Sequence, residues 1–257
     1  MLLDNCVIKS AMKEHLLIGC LILITACQPV TQTLAPSLLP TGTLPPTHVP
    51  ATEIPIFTPT PELPPTPLPR LFTNEFDSSL GGWVILQAGN DSVPAIHTGE
   101  SELLLQMDSP YTWLYALYGA QDYMDVRVDA QFVNRAGSPS SIGVMCRYSE
   151  ENGWFEFNIS TDGTYNVLYG RWLTVGIADY LPILSAPSKE IQPSGAAQQI
   201  GLICYDDALS LIINEKLIRT VGVARYELNE GKVGITASSF ENTPVIAAFD
   251  WVMVGEP

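Results

Sequence analysis

Beyond residue 70 of this 257-residue chain, apolar side chains recur at every second position in short runs, a spacing that suits half-buried strands rather than long helices. In 125–132 the even positions are Val126, Val128, Ala130 and Phe132, while Asp125, Arg127, Asp129 and Gln131 occupy the odd ones. Side chains of a strand alternate between its faces, so the even set belongs to a core and the odd set to solvent or a cleft. Residues 153–160 alternate likewise, with Phe155, Phe157 and Ile159 on the core side and Trp154, Glu156 and Asn158 opposite. Asp162-Gly163 then leads into a second run at 165–169, the strongest hairpin signal in the chain. Further strands are expected at 102–107, 113–118, 142–148, 199–204, 209–213, 217–221, 232–238 and 245–254, while 178–193, with Pro182 and Pro187, reads as a rim loop. About a dozen strands predict an all-β domain of two packed sheets, a sandwich at 71–257.

Prolines confine that pattern to one part of the chain. Thirteen of the 21 prolines and nine threonines fall between positions 28 and 70, including Thr58-Pro59-Thr60-Pro61 and Pro64-Pro65-Thr66-Pro67. Proline removes amide donors and biases its predecessor to extended angles. Residues 27–70 therefore read as a disordered Pro/Thr-rich linker, a spacer of up to about 130 Å at about 3.1 Å per residue. A Pro-rich ligand for a partner domain is the alternative. Ahead of it, residues 16–26 form an uncharged run of 11 behind Lys9 and Lys13. Spanning a bilayer takes about 20 residues, so 1–26 reads as a signal peptide. The run ends in Ile24-Thr25-Ala26-Cys27, which resembles the bacterial lipobox. That resemblance implies a lipoprotein whose Cys27 is acylated and becomes the mature N-terminus, a membrane anchor holding an extracytoplasmic domain. An ordinary signal peptide is the alternative, and Met12-Lys13 is an alternative start.

The chain carries 27 Asp plus Glu against 12 Lys plus Arg, a formal net charge of −15, and 23 of the acids with nine of the bases lie in 71–257. An electrostatic nucleic-acid binder needs a basic face, so that class is excluded. A solvated acidic surface is the plainer reading of the excess, ahead of cation binding.

Phe76-Asp77 followed by Gly82-Trp83 resembles the opening of the concanavalin A-like lectin and glucanase domains, a jelly-roll superfamily that includes laminin-G-like and 3-keto-disaccharide-hydrolase-like modules. Residues 143–148 with 154–157 resemble its central hairpin, and 208–214 its leucine-rich strand, although Glu215-Lys216 replaces the usual glycine. Gly231-Lys232-Val233-Gly234-Ile235 and Ala248-Phe249-Asp250-Trp251-Val252 resemble the closing strands. The resemblance implies a two-sheet antiparallel jelly-roll sandwich and admits lectins, enzymes and scaffolds alike.

Of the five cysteines, Cys6 and Cys20 leave with the signal and Cys27 takes the lipid. Cys146 and Cys204 remain, and an oxidising compartment favours a disulfide between them, on neighbouring strands with Cβ atoms about 4 Å apart. Two separate buried thiols are the alternative.

His97 is the one histidine beyond residue 70, and no nucleophile elbow, phosphate loop or Cys-x-x-Cys occurs, which removes serine-hydrolase, nucleotide and zinc readings. Glycoside hydrolysis needs two carboxylates. Glucanases of this superfamily set acids at alternate positions of one strand, and the nearest match is Asp125-x-Arg127-x-Asp129, where Arg replaces the middle acid and holds both carboxylates ionised. Sugar binding asks only for aromatic faces and hydroxyl-bonding groups. Trp154, Glu156 and Asn158 offer these on one face, with Arg147, Tyr165 and Trp172 able to join them, against a plain reading in which Trp154 and Tyr165 cover a sheet beneath a loop. Asn90-Asp91 and Asp206-Asp207 lie in expected turns and offer calcium ligands, though shaping a turn is the plainer role. The sequence thus predicts a glycan or cell-surface ligand for a non-catalytic module, with a glycosidase or keto-sugar enzyme and a ligand-free spacer as alternatives.

Overall fold

The computed structural model describes residues 68–257. The signal segment, Cys27 and all but the end of the linker lie outside the described residues. In chain order the strands are β1 (Phe72–Asn74), β2 (Trp83–Gly89), β3 (Ala95–Gly99), β4 (Glu102–Met107), β5 (Thr112–Tyr123), β6 (Val126–Asn134), β7 (Ser140–Ser149) and β8 (Gly153–Ser160). They continue with β9 (Thr164–Thr174), β10 (Ile177–Pro187), β11 (Gln198–Tyr205), β12 (Ala208–Ile213), β13 (Lys216–Gly222), β14 (Gly231–Ser239) and β15 (Val245–Gly255). All pairings are antiparallel. One sheet runs β13-β12-β11-β6-β15-β4-β3 with β1 added beside β15, and the other runs β10-β9-β8-β7-β14-β5-β2. The described residues form an all-β jelly-roll sandwich.

The alternation sorts as its period dictates. Val126, Val128, Ala130 and Phe132 of β6 face Phe155, Phe157 and Ile159 of β8 across a core that also takes Leu103, Leu105, Ile235 and Phe249. Each such side chain removed from water contributes about 1.5–3 kcal/mol, which fixes the register of every strand, because a slip of one residue would turn this set outward. The β8–β9 hairpin closes at Asp162-Gly163 as expected, with Gly163 at φ +83° and Asp162 Oδ1 accepting from the Thr164 amide at 2.9 Å.

Of the segment expected as a rim loop, 178–187 is instead part of strand β10, and 188–193 is turn and coil. Strand β10 is the edge strand of its sheet, where Pro182 withholds no hydrogen bond from a further neighbour, and the ladder slips between Pro182 and Leu184. The disulfide forms between Cys146 and Cys204, Cα atoms 6.7 Å apart. It does not join neighbouring strands. Cys146 faces the core from β7 in one sheet and Cys204 from β11 in the other, so the bond crosses the sandwich.

The β12–β13 hairpin turns on Asn214 and Glu215, both in the left-handed region at φ 46° and 66°. Asparagine tolerates that region, whereas a glutamate there costs about 1 kcal/mol. Glu215→Gly is therefore expected to raise Tm by about 2–4 °C, read by thermal unfolding at fixed pH. No gain would show that the exposed Glu215 side chain offsets its own strain.

Candidate functional site

The seven-stranded sheet curls until the turn between β9 and β10 meets the end of β2, where the Gly89 amide donates to the Gly176 carbonyl at 3.1 Å. The face turned away from the core becomes the inside of this curl. Its side chains follow from the register. One row runs Trp113, Ser238, Ser141 and Ser160 across β5, β14, β7 and β8, and the next runs Tyr115, Thr236, Gly143, Asn158 and Asn166, reaching β9. A third carries Leu117, Gly234, Met145, Glu156 and Leu168, and a fourth sets Trp154 opposite Gly170 and Tyr180.

Aromatic side chains fill the lower half. Trp154 is fully buried, with ring centroids 5.5 Å from Tyr115, 5.5 Å from Tyr148, 5.2 Å from Trp172 and 5.9 Å from Tyr180. The Trp172 indole nitrogen donates to the Tyr148 hydroxyl at 2.9 Å. Gly170 makes room for this cluster, because a Cβ there would stand 2.4 Å from Trp154 Cε2. The parity of Trp154, Glu156 and Asn158 is as expected, but the tryptophan has no exposed face on which a sugar could stack. The cover is β10, and not a loop.

The upper half is open, with a polar floor between apolar walls. A cup of about 170 Å³ is lined by Ser141, Glu156, Asn158, Ser160, Asn166 and Ser238, with Trp113 and Phe240 on one wall, Leu168 on the other, and Tyr180 at one end. The floor is one network. Asn158 Oδ1 accepts from Ser141 Oγ at 3.0 Å and from Asn166 Nδ2 at 3.1 Å, Asn166 Nδ2 also lies 3.2 Å from Ser160 Oγ, and Ser141 Oγ lies 2.8 Å from Ser160 Oγ. Gly143 permits this floor, since a Cβ there would meet the Phe157 carbonyl at 2.4 Å.

Glu156 joins the two halves. Its Oε1 accepts from Asn158 Nδ2 at 2.9 Å and Thr236 Oγ1 at 3.1 Å, and its Oε2 accepts from the Tyr180 hydroxyl at 3.0 Å. Tyr180 Oη in turn lies 2.7 Å from Tyr115 Oη. Burial pushes the Glu156 carboxyl above the ordinary glutamate value, against the opposing pull of these donors, and pushes both tyrosines above the ordinary phenol value, so their protons stay on. A carboxyl raised in the folded state keeps its proton where the unfolded chain has lost it, so stability falls as pH climbs from about 4.5 through the folded value. Urea unfolding from pH 4 to 8 is expected to show this fall in the wild type and not in Glu156→Gln. Parallel curves for the two proteins would place the titration elsewhere.

Two further expected site residues lie off this face. Arg147 sits in a bulge of β7 with φ +54°, which swings it to the end of the sandwich, where it is buried. Its guanidinium donates to the carbonyls of Met124, Leu228 and Asp206 at 3.1, 2.8 and 2.7 Å and lies 3.6 Å from Asp125, clamping three loops. Tyr165 points into the core against Phe157, because it shares the parity of Val167. Asp129 is on the other sheet, buried beneath Arg127, whose nitrogens donate to it at 2.6 and 3.0 Å, so this acid does not line the curl. Arg147 also occupies the Asp206 turn, while Asn90 Oδ1 accepts from the Ser92 amide at 2.8 Å. Among the described residues no group of three His, Cys, Asp or Glu side chains is placed to hold a metal.

The same fold occurs in solved structures. The chain superposes on a galectin-like protein of unknown function from Bacillus subtilis with TM-score 0.53 at 13% identity, covering 72% of this chain and 94% of that one. A β-1,3-1,4-glucanase from a mouse hindgut metagenome gives 0.52 at 11% identity over 73% and 99%. The Bacillus licheniformis β-glucanase gives 0.51 at 12% identity over 73% and 98%. The fold is a concanavalin A-like jelly roll. No protein-family model and no curated protein matches the sequence.

Within this concanavalin A-like sandwich, sequence reasoning missed Trp113, Phe240, Ser141, Ser160, Asn166, Ser238, Tyr115 and Tyr180. The parity of 113 and 115 along β5 was a usable signal, because Leu114 and Ala116, which alternate with them, are core residues. Tyr180 carried none, being placed by a Pro-bearing edge strand.

Proposed function

We propose that the chain is an exported lipoprotein, anchored through Cys27, whose concanavalin A-like domain binds carbohydrate in the cup over Asn158 without cleaving it. The observation that carries this reading is the lining itself. Hydroxyls and amides from four strands face the apolar faces of Trp113 and Phe240, the pairing that a sugar's hydroxyl rim and C–H face require. Among the described residues lining the cup, Glu156 is the one carboxyl group, and it is held by three donors. Hydrolysis by the usual route needs a second carboxyl about 5 Å away for retention, or farther for inversion. A Cys146–Cys204 bridge suits an oxidising compartment outside the cytoplasm, and the Pro/Thr-rich stalk would hold the domain clear of the membrane.

A glycan array probed with the wild-type chain and with Trp113→Ala tests the reading, together with chromatography of the same glycans after incubation. Binding by the wild type, loss of about tenfold or more in the variant, and unchanged glycans are expected. Shortened products would make the protein an enzyme, and an empty array would leave the cup without this role. Failure of palmitate-analogue labelling to depend on Cys27 would remove the anchor.

A further inference from the structure

Resting on that reading, the shape of the cup carries it one step further: we infer that it takes the terminal unit of an uncharged saccharide chain, and not an internal stretch.

A cleft that binds the middle of a polysaccharide is open at both ends, so that the chain enters on one side and leaves on the other. Here the cup is closed at its Tyr180 end. Tyr180 reaches from the edge strand β10 to Glu156 on β8 and Tyr115 on β5, a bridge of two short hydrogen bonds across the sheet. Behind the bridge stand Trp154 and Trp172, and beside Trp113 the Gly89–Gly176 hydrogen bond ties the β9–β10 hairpin to β2. Moving the hairpin aside would expose Trp154 and leave Glu156 without one of its donors, so the closure belongs to the folded state.

Size agrees with shape. About 170 Å³ lies below the roughly 300 Å³ at which pockets for larger ligands begin, so the cup suits one ring and not several. The lining also selects charge. Its open polar groups are neutral hydroxyls and amides, and the surrounding domain holds 23 acids to nine bases, so a uronate or sulfated sugar would meet repulsion with no cation in the cup to offset it.

The probes are neutral oligosaccharides of two to six units, in the malto-, cello-, laminari-, xylo- and manno- series, titrated calorimetrically into the full-length chain. For the series that binds, the dissociation constant per mole of chain is expected to stay within about threefold from two units to six, and O-methylation of the unit at one end is expected to abolish binding. Affinity rising tenfold or more with length, or binding that survives methylation of either end, would overturn the terminal-unit inference while leaving carbohydrate binding intact. Failure of every series to bind would overturn both.

Discussion

Trp154→Ala is expected to lower the unfolding free energy by about 3–5 kcal/mol, the range for deleting a fully buried large aromatic, and Tm by on the order of 10 °C. The indole has no solvent exposure, and four aromatic rings surround it within 5.9 Å. Removing it leaves a void that Tyr180 and Trp172 cannot fill without leaving their hydrogen bonds to Glu156 and Tyr148. The opposite substitution checks the same packing, because Gly170→Ala drives a Cβ into the indole ring and is expected to destabilise as well. An exposed sugar-stacking tryptophan would behave differently. Its loss would leave stability within about 0.5 kcal/mol and act on binding alone, and that outcome in a urea titration would refute the closed half of the curl.

Replacing both cysteines, Cys146→Ala with Cys204→Ala, is expected to cost about 4 kcal/mol. The bond closes a loop with a sequence separation of 58 residues, and restricting that loop in the unfolded chain yields a figure of this size by the loop-closure relation. Because the bridge joins β7 in one sheet to β11 in the other, its loss also removes a covalent tie across the core. Chemical unfolding of the oxidised wild type against the double variant, with the wild type in reductant as a third sample, measures it. Coincident curves would mean that the two thiols pack unbonded.

Local pattern made much of this fold legible. Strict alternation placed β6 and β8 to within a residue or two and put Glu156 and Asn158 on the same face, because side-chain direction in a strand depends only on parity. Asp162-Gly163 announced its hairpin for an equally local reason. What parity does not report is what lies above a face. Trp154 looked like a platform, and it is a plug because β10, two strands away, folds back over it. Arg147 left the expected face because a single positive φ in a bulge breaks the alternation on which its assignment rested. The cysteine pair was legible from count and from an expected oxidising compartment, but whether its partners share a sheet is decided by topology. The cup itself joins residues of six strands, from Trp113 to Ser238, with Phe240 just past the last of them, and no local stretch of sequence contains it.

The most direct test follows backbone and side-chain amide signals of the ¹⁵N-labelled protein by NMR while the tightest-binding neutral oligosaccharide is titrated in. The expected result is a compact set of shifts at Ser141, Asn158, Ser160, Asn166, Ser238 and the Trp113 indole, with the Trp154 indole little moved behind Tyr180. Shifts centred on the outer face of the eight-stranded sheet, around Arg127 and Asp129, would contradict a binding site inside the curl.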